Sequence, residues 1–76
     1  MRKITKRRNR APEPLTTRER QVVLALSEGA TNREIGRRLR VAEGTVKEHL
    51  HHIYRKLGIP NRTALAVLAT RALDAA

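Results

Sequence analysis

Two predicted helices joined by a tight turn occupy residues 31–58, TNREIGRRLRVAEGTVKEHLHHIYRKLG. With about 100° between successive residues of a helix, the second of them divides into two faces. One face carries four apolar residues, namely Val46, Leu50, Ile53 and Leu57. The opposite face carries Gly44, Glu48, His51 and Arg55. This pattern predicts a helix that packs on a small core and exposes polar side chains to a partner.

The Thr-x-x-Glu pattern of a capping box marks the start of two helices. Thr16 with Glu19 predicts the start of helix 1, which is expected to end near Gly29. The same pattern at residues 31–34 opens helix 2, predicted over about 32–39. Within helix 2, Gly36 is expected to leave room for a neighbouring backbone.

Helix 3 is predicted over about 43–57, and Gly58 is expected to end it. Ile59 then lies at the position that commonly folds back on the last turn, here toward Tyr54. Asn61 follows a proline and can cap helix 4, which is predicted over about 62–73. The whole chain is therefore expected to be all-α, with four helices.

The composition excludes several classes of protein. A chain of 76 residues has room for one small domain, which buries only about 60% of its unfolded surface. With no cysteine it has no disulfide or thiolate metal site, and no apolar run approaches the roughly 20 residues of a membrane span. No catalytic constellation can be assembled from its residues. We expect a cytoplasmic, non-enzymatic domain without cofactor, small-molecule ligand or membrane contact.

The positive charge is concentrated at the N-terminus. The net charge is +10, and residues 1–10 contain six basic side chains and no acidic one. Pro12 and Pro14 predict that a basic tail or linker spans residues 1–14 and that the domain spans 15–76. The tail has three interpretations: an arm that follows phosphates or the minor groove, a solubilising linker, or the stub left where an upstream domain was removed. A basic chain with two helices joined by a tight turn indicates a DNA-binding helix-turn-helix.

Helix 4 is apolar on more than one side. One face is expected to pack on the core and carries Leu65, Leu68, Ala69 and Ala72. The other face carries Ala64, Val67 and Arg71. Because so small a domain can bury only one face, the second is a candidate contact with another copy of the chain. The alternative is that its small apolar residues are ordinary components of a solvated surface.

Five segments resemble the LuxR-type (GerE-like) helix-turn-helix domain of NarL/FixJ-type response regulators. They are LTTRERQVV at 15–23, EG at 28–29, TNREIGRRL at 31–39, EGTVKEHLHHIYRKLG at 43–58 and NR at 61–62. Their order and spacing fit the family without insertion or deletion. The resemblance implies a four-helix DNA-binding domain that dimerises through its last helix and reads repeated half-sites of double-stranded DNA. The resemblance is also compatible with RNA polymerase as a further partner.

The resemblance also implies roles for individual residues. Base edges would face Lys47, Glu48 and His51, whereas phosphates would lie near Asn32, Arg33, Thr45 and His52. The helical wheel independently places Glu48, His51 and Arg55 on the exposed face and puts Lys47 on its flank. The candidate contact with another copy, at Ala64, Val67 and Arg71, comes from the faces of helix 4 rather than from this resemblance. Two histidines three residues apart, His49 and His52, lack further ligands for a metal site.

Four positions depart from the family pattern, one of which is Ala25, where a larger apolar residue is usual. Arg40 stands in the turn where glycine is usual, and a non-glycine residue at positive φ costs roughly 1–2 kcal/mol. Ala42 stands where a serine usually caps the third helix, a loss of about 1 kcal/mol. Leu24 takes a position that is normally polar and is expected to be exposed.

Two other functions remain open from the sequence. Region 4 of the RNA polymerase sigma factor shares part of the Thr, Glu and Leu spacing, but it lacks the TVKEH and KLG segments and a dimerising fourth helix. A protein-interaction module could instead use helix 4 and Leu24 to sequester a related regulator. The leading hypothesis is a sequence-specific transcription regulator that binds DNA as a dimer.

Overall fold

The computed structural model describes residues 14–75, with side chains described through residue 71. In this part of the chain the backbone forms four helices and no strand. They are α1 (Thr17–Ser27), α2 (Asn32–Leu39), α3 (Glu43–Leu57) and α4 (Arg62–Ala75). The sequence predicted α2 and α3 with the same bounds, whereas α4 continues two residues beyond its predicted end. Residues 1–13, which contain most of the predicted basic tail, lie outside the described residues.

Both predicted capping boxes are present. At the start of α1, the Glu19 amide donates to Thr16 Oγ1 over 3.0 Å, and the Thr16 amide donates to Glu19 Oε1 over 2.9 Å. The same reciprocal pair joins Thr31 and Glu34 at the start of α2. Each box satisfies two backbone N–H groups that would otherwise lack a partner at the helix start. The starts of both helices are therefore specified locally.

The end of α3 also follows the prediction. Gly58 has φ +67°, a left-handed conformation that glycine adopts without steric cost. The Ile59 amide donates to the Tyr54 carbonyl over 3.0 Å, and the Gly58 amide donates to the Arg55 carbonyl over 3.3 Å. These two bonds form a Schellman motif, which satisfies the last carbonyls of the helix. The chain then turns toward α4, where Asn61 Oδ1 accepts from the Ala64 amide over 2.9 Å.

The core is aliphatic and draws on all four helices. Its buried members are Val22, Ala25, Leu26, Ala30, Ile35, Val46, Leu50, Ile53, Leu65 and Ala69. The expectation that Leu68 packs on the core is wrong, because its side chain is 41% exposed. Leu65 and Ala69, four residues apart, already fill the line along which α4 meets the core, and Leu68 lies beside that line.

No helix in residues 14–75 is long and apolar enough to cross a membrane.

Candidate nucleic-acid interface

A close backbone contact sets the geometry between α2 and α3. A Cβ atom placed on Gly36 would lie only 2.7 Å from the Val41 carbonyl oxygen, closer than real side chains allow. Gly36 is itself buried, and the Val41 amide donates to its carbonyl over 2.9 Å. The missing side chain therefore lets the turn fold tightly against α2, as the sequence predicted.

The turn adopts a conformation that its sequence does not favour. Arg40 has φ 60° and ψ 44°, the left-handed region in which glycine is the usual residue. Ala42 has the extended backbone of an N-cap residue but no side chain that can bond to the first turn of α3. Both departures predicted from the sequence are therefore present. The turn keeps its shape through the packing of Gly36 and of the helices on either side.

The two faces of α3 differ as predicted. Val46, Leu50 and Ile53 are buried, and Leu57 is half-buried. The exposed side of the helix carries Lys47, Glu48, His51, His52 and Arg55, with Thr45 half-buried near the start. The exposed side thus combines hydrogen-bond donors, one acidic acceptor and two imidazoles that can donate or accept. Such a set can contact both base edges and phosphates.

A buried ion pair fixes the other end of α3 against α1. Lys56 Nζ lies 2.7 Å from Glu19 Oε1, and the Glu19 side chain is only 5% exposed. Burial raises the pKa of Glu19, but hydrogen bonds from Lys56 and from the Thr16 amide outweigh it and leave the pKa below its ordinary value. Glu19 therefore caps α1 and holds α3 with the same carboxylate. The cap was predicted from the sequence but the ion pair was not, because Lys56 lies 37 residues from Glu19.

The start of α2 carries the predicted phosphate contacts Asn32 and Arg33. Arg33 is exposed, whereas Asn32 is half-buried and accepts a 2.6 Å hydrogen bond on Oδ1 from Arg62. Arg62 also donates to the Ala30 carbonyl over 2.7 Å. Arg62 stands in the NR segment at 61–62 that resembles the family, but no role was predicted for it. Its place directly after the cap residue of α4 does not indicate a contact with α2.

The outer surface of α4 is partly apolar. Val67 is 49% exposed beside Leu68, and Arg71 is exposed. A shallow groove is lined by Ala66, Val67, Thr70 and Arg71. Ala64 is half-buried, and Leu24 on α1 is 52% exposed, as its position in the sequence predicted. The residues proposed for the contact with a second copy therefore lie on a different helix from the polar face of α3.

No group of three or more His, Cys, Asp or Glu side chains suited to a metal ion occurs among the described residues. His49 is half-buried beside the apolar stripe of α3, and His52 is exposed.

Comparison with known proteins gives a consistent result. Residues 13–69 match the family described as bacterial regulatory proteins, luxR family. The chain is 44% identical over 54 residues to the putative HTH-type transcriptional regulator YhjB of Escherichia coli, covering 71% of this chain and 27% of YhjB. It is 44% identical over 59 residues to the transcriptional regulatory protein LiaR of Bacillus subtilis, covering 78% of this chain and 28% of LiaR.

A solved structure is similar as well. The crystal structure of the response regulator ChrA from a heme-sensing two-component system aligns with a TM-score of 0.73 and 39% sequence identity. The alignment covers 87% of this chain and 32% of ChrA. The chain therefore spans about a quarter to a third of the length of these three proteins.

Proposed function

Because the chain belongs to the luxR family of bacterial regulatory proteins, we propose that it regulates transcription by inserting α3 into the major groove of double-stranded DNA. The observation that carries this proposal is the division of α3 into two faces. Val46, Leu50 and Ile53 hold the helix on the core, while Lys47, Glu48 and His51 are exposed. A helix held in this way can present side chains in fixed positions to base edges.

Each of the three exposed residues has chemistry suited to reading bases. The Lys47 ammonium group can donate to guanine O6 or N7, and the Glu48 carboxylate can accept from the amino group of cytosine. His51 can donate or accept. A good base contact discriminates by about 1–3 kcal/mol. We therefore assign sequence recognition to these three side chains.

The flanking residues are assigned to phosphates. Asn32 and Arg33 lie in the first turn of α2, where free backbone N–H groups and the helix dipole also favour an anion. Thr45, His52 and Arg55 lie along α3 beside the base-reading residues. Phosphate contacts fix the orientation of a protein on the duplex without reading its sequence. They are expected to make the affinity fall as salt concentration rises.

We propose that two copies bind together through α4. The support is the exposed apolar side chain of Val67, flanked on its own helix by Ala64 and Arg71. A symmetric dimer would place two α3 helices on half-sites about one helical turn apart. We assign residues 15–76 to the DNA-binding domain and residues 1–14 to a basic tail or linker. The chain would act in the cytoplasm, where bacterial DNA lies.

Selection from a random pool of DNA duplexes at near-physiological salt tests this function. We expect the retained duplexes to share a half-site repeated at helical-turn spacing. Recovery of no shared motif, with binding that disappears as salt rises, would contradict sequence reading by α3.

A second function, capture of a related regulator, is favoured by the exposed side chains of Leu24, Val67 and Leu68. Size-exclusion chromatography with light scattering separates the two functions. A dimer that binds the selected duplex supports the proposal. A monomer that binds no duplex but pairs with another luxR-type chain supports capture instead.

A further inference from the structure

Arg62 joins the start of α4 to the start of α2. Its Nη1 atom donates to Asn32 Oδ1 over 2.6 Å, and its Nη2 atom donates to the Ala30 carbonyl oxygen over 2.7 Å. Both Arg62 and Asn32 are half-buried, and Ala30 is a buried residue of the linker before α2. Two hydrogen bonds from one planar guanidinium group fix its orientation. Arg62 is therefore a rigid support behind the first turn of α2.

This contact fixes the orientation of the Asn32 amide. A guanidinium group can only donate hydrogen bonds, so the atom of Asn32 that faces it has to be the carbonyl oxygen. The amide nitrogen of Asn32 then points away from Arg62 with its two N–H groups. Without this partner, the amide could rotate and present either its oxygen or its nitrogen to a ligand.

We propose that Arg62 is a positioning residue for DNA binding, which holds Asn32 so that its Nδ2 donates to a backbone phosphate. This inference rests on the proposed function, in which Asn32 lies near a phosphate. A phosphate oxygen accepts hydrogen bonds but does not donate them, so it requires the nitrogen of the amide and is repelled by the oxygen. The Arg62 side chain thus selects the amide orientation that suits DNA, although it need not touch DNA itself.

A double-mutant cycle tests the inference. The variants are Arg62→Lys, which keeps the charge but loses the planar pair of donors, Asn32→Ala, and the two combined. Affinity is measured at fixed salt for the duplex recovered by selection and for a mixed-sequence duplex. Asn32→Ala is expected to weaken binding of both duplexes about fivefold to tenfold, because it removes a sequence-independent contact.

The coupling between the two changes is the deciding result. Arg62→Lys should weaken binding nearly as much as Asn32→Ala, and the double variant should bind no more weakly than Asn32→Ala alone. The matched control is Arg20→Lys, because Arg20 also donates to one backbone carbonyl, that of Leu15, and to one side-chain oxygen, on Thr17. This control is expected to change affinity less than twofold.

A purely structural role predicts something different. Arg62→Lys would then weaken binding by the same factor with or without Asn32, and this additive result would overturn the inference. Melting curves establish that each variant is folded at the assay temperature. If Arg62→Lys does not fold, the side-chain amide signals of Asn32 in the NMR spectrum of the wild-type chain decide the question. They should shift on addition of the selected duplex, and unchanged signals would overturn the inference.

Failure of this inference differs from failure of the proposed function. If selection recovers no motif, base reading by α3 fails, and the cycle on the mixed-sequence duplex still tests whether Arg62 positions Asn32. If selection recovers a motif and the cycle is additive, only the role of Arg62 fails.

Discussion

Replacing Gly36 by alanine tests the close contact on which the turn between α2 and α3 depends. The new Cβ atom would lie 2.7 Å from the Val41 carbonyl oxygen, several tenths of an ångström inside ordinary contact distance. That oxygen belongs to the backbone and cannot rotate away as a side chain would. The turn therefore has to open. The N-cap of α3 would move with it, because the carbonyl carbon of Ala42 lies 3.7 Å from the same Cβ position.

Two opposing effects set the magnitude. Alanine is favoured over glycine inside a helix by about 1 kcal/mol. Overpacking of a well-packed interior costs typically about 1–3 kcal/mol, and a collision with backbone belongs at the upper end or beyond. We expect Gly36→Ala to lower the free energy of unfolding by about 1–2 kcal/mol. For a domain of this size, that corresponds to a decrease in melting temperature of roughly 5–15 °C.

Gly44→Ala is the matched control. Gly44 lies in the first turn of α3, and a Cβ atom there would meet nothing within 4 Å. The same substitution should therefore raise the free energy of unfolding, by up to about 1 kcal/mol. Denaturant unfolding followed by far-ultraviolet circular dichroism measures both changes in the free energy of unfolding. A Gly36→Ala variant as stable as the wild type, beside a stabilised Gly44→Ala, would show that the contact between Gly36 and the Val41 carbonyl does not constrain the turn.

Three further predictions concern stability. Arg40→Gly should raise the free energy of unfolding by about 1 kcal/mol, since glycine adopts the left-handed conformation at φ 60° without the steric cost that arginine has. A lower free energy of unfolding, measured by denaturant titration, would contradict this. Ala42→Ser should raise the free energy of unfolding by about 0.5–1 kcal/mol, because serine can cap α3. Thermal melting measures this change, and an unchanged melting temperature would contradict it. Because the folded state holds the pKa of Glu19 below its ordinary value, the stability that this shift contributes at neutral pH should be lost as pH falls from the ordinary pKa through the lowered one. Glu19→Gln should reduce this acid sensitivity in pH-dependent unfolding, leaving the part due to Glu34, whose pKa is lowered chiefly by its bond from the Thr31 amide. If Glu19→Gln leaves the pH dependence of unfolding unchanged, Glu19 does not account for the acid sensitivity.

The sequence predicted the features that arise from local chemistry. The capping boxes at Thr16 and Thr31 depend on residues three apart, so both helix starts could be predicted from pattern alone. The left-handed residue Gly58 and the exposed face of α3 are likewise local. The room required beside Gly36 could also be anticipated, because a glycine inside a short helix indicates close packing.

The contacts that hold the helices together could not be predicted in this way. Lys56 meets Glu19 across 37 residues, and Arg62 meets Asn32 across 30. Periodicity indicates which face of a helix is buried but not which residue lies opposite. The same limitation explains the error at Leu68, which shares a face with Leu65 on the wheel but lies beyond the edge of the core.

Base reading by α3 can be measured as the ratio of affinities for the selected duplex and for a shuffled duplex at the same salt. We predict that Lys47→Ala and His51→Ala each reduce this ratio by about fivefold or more, as the loss of about 1–3 kcal/mol of base discrimination requires. Arg38→Ala is the control for lost charge, since Arg38 pairs with Glu28 on the surface, and it should leave the ratio unchanged. Equal losses of affinity on both duplexes for Lys47→Ala and His51→Ala would mean that these side chains do not read bases.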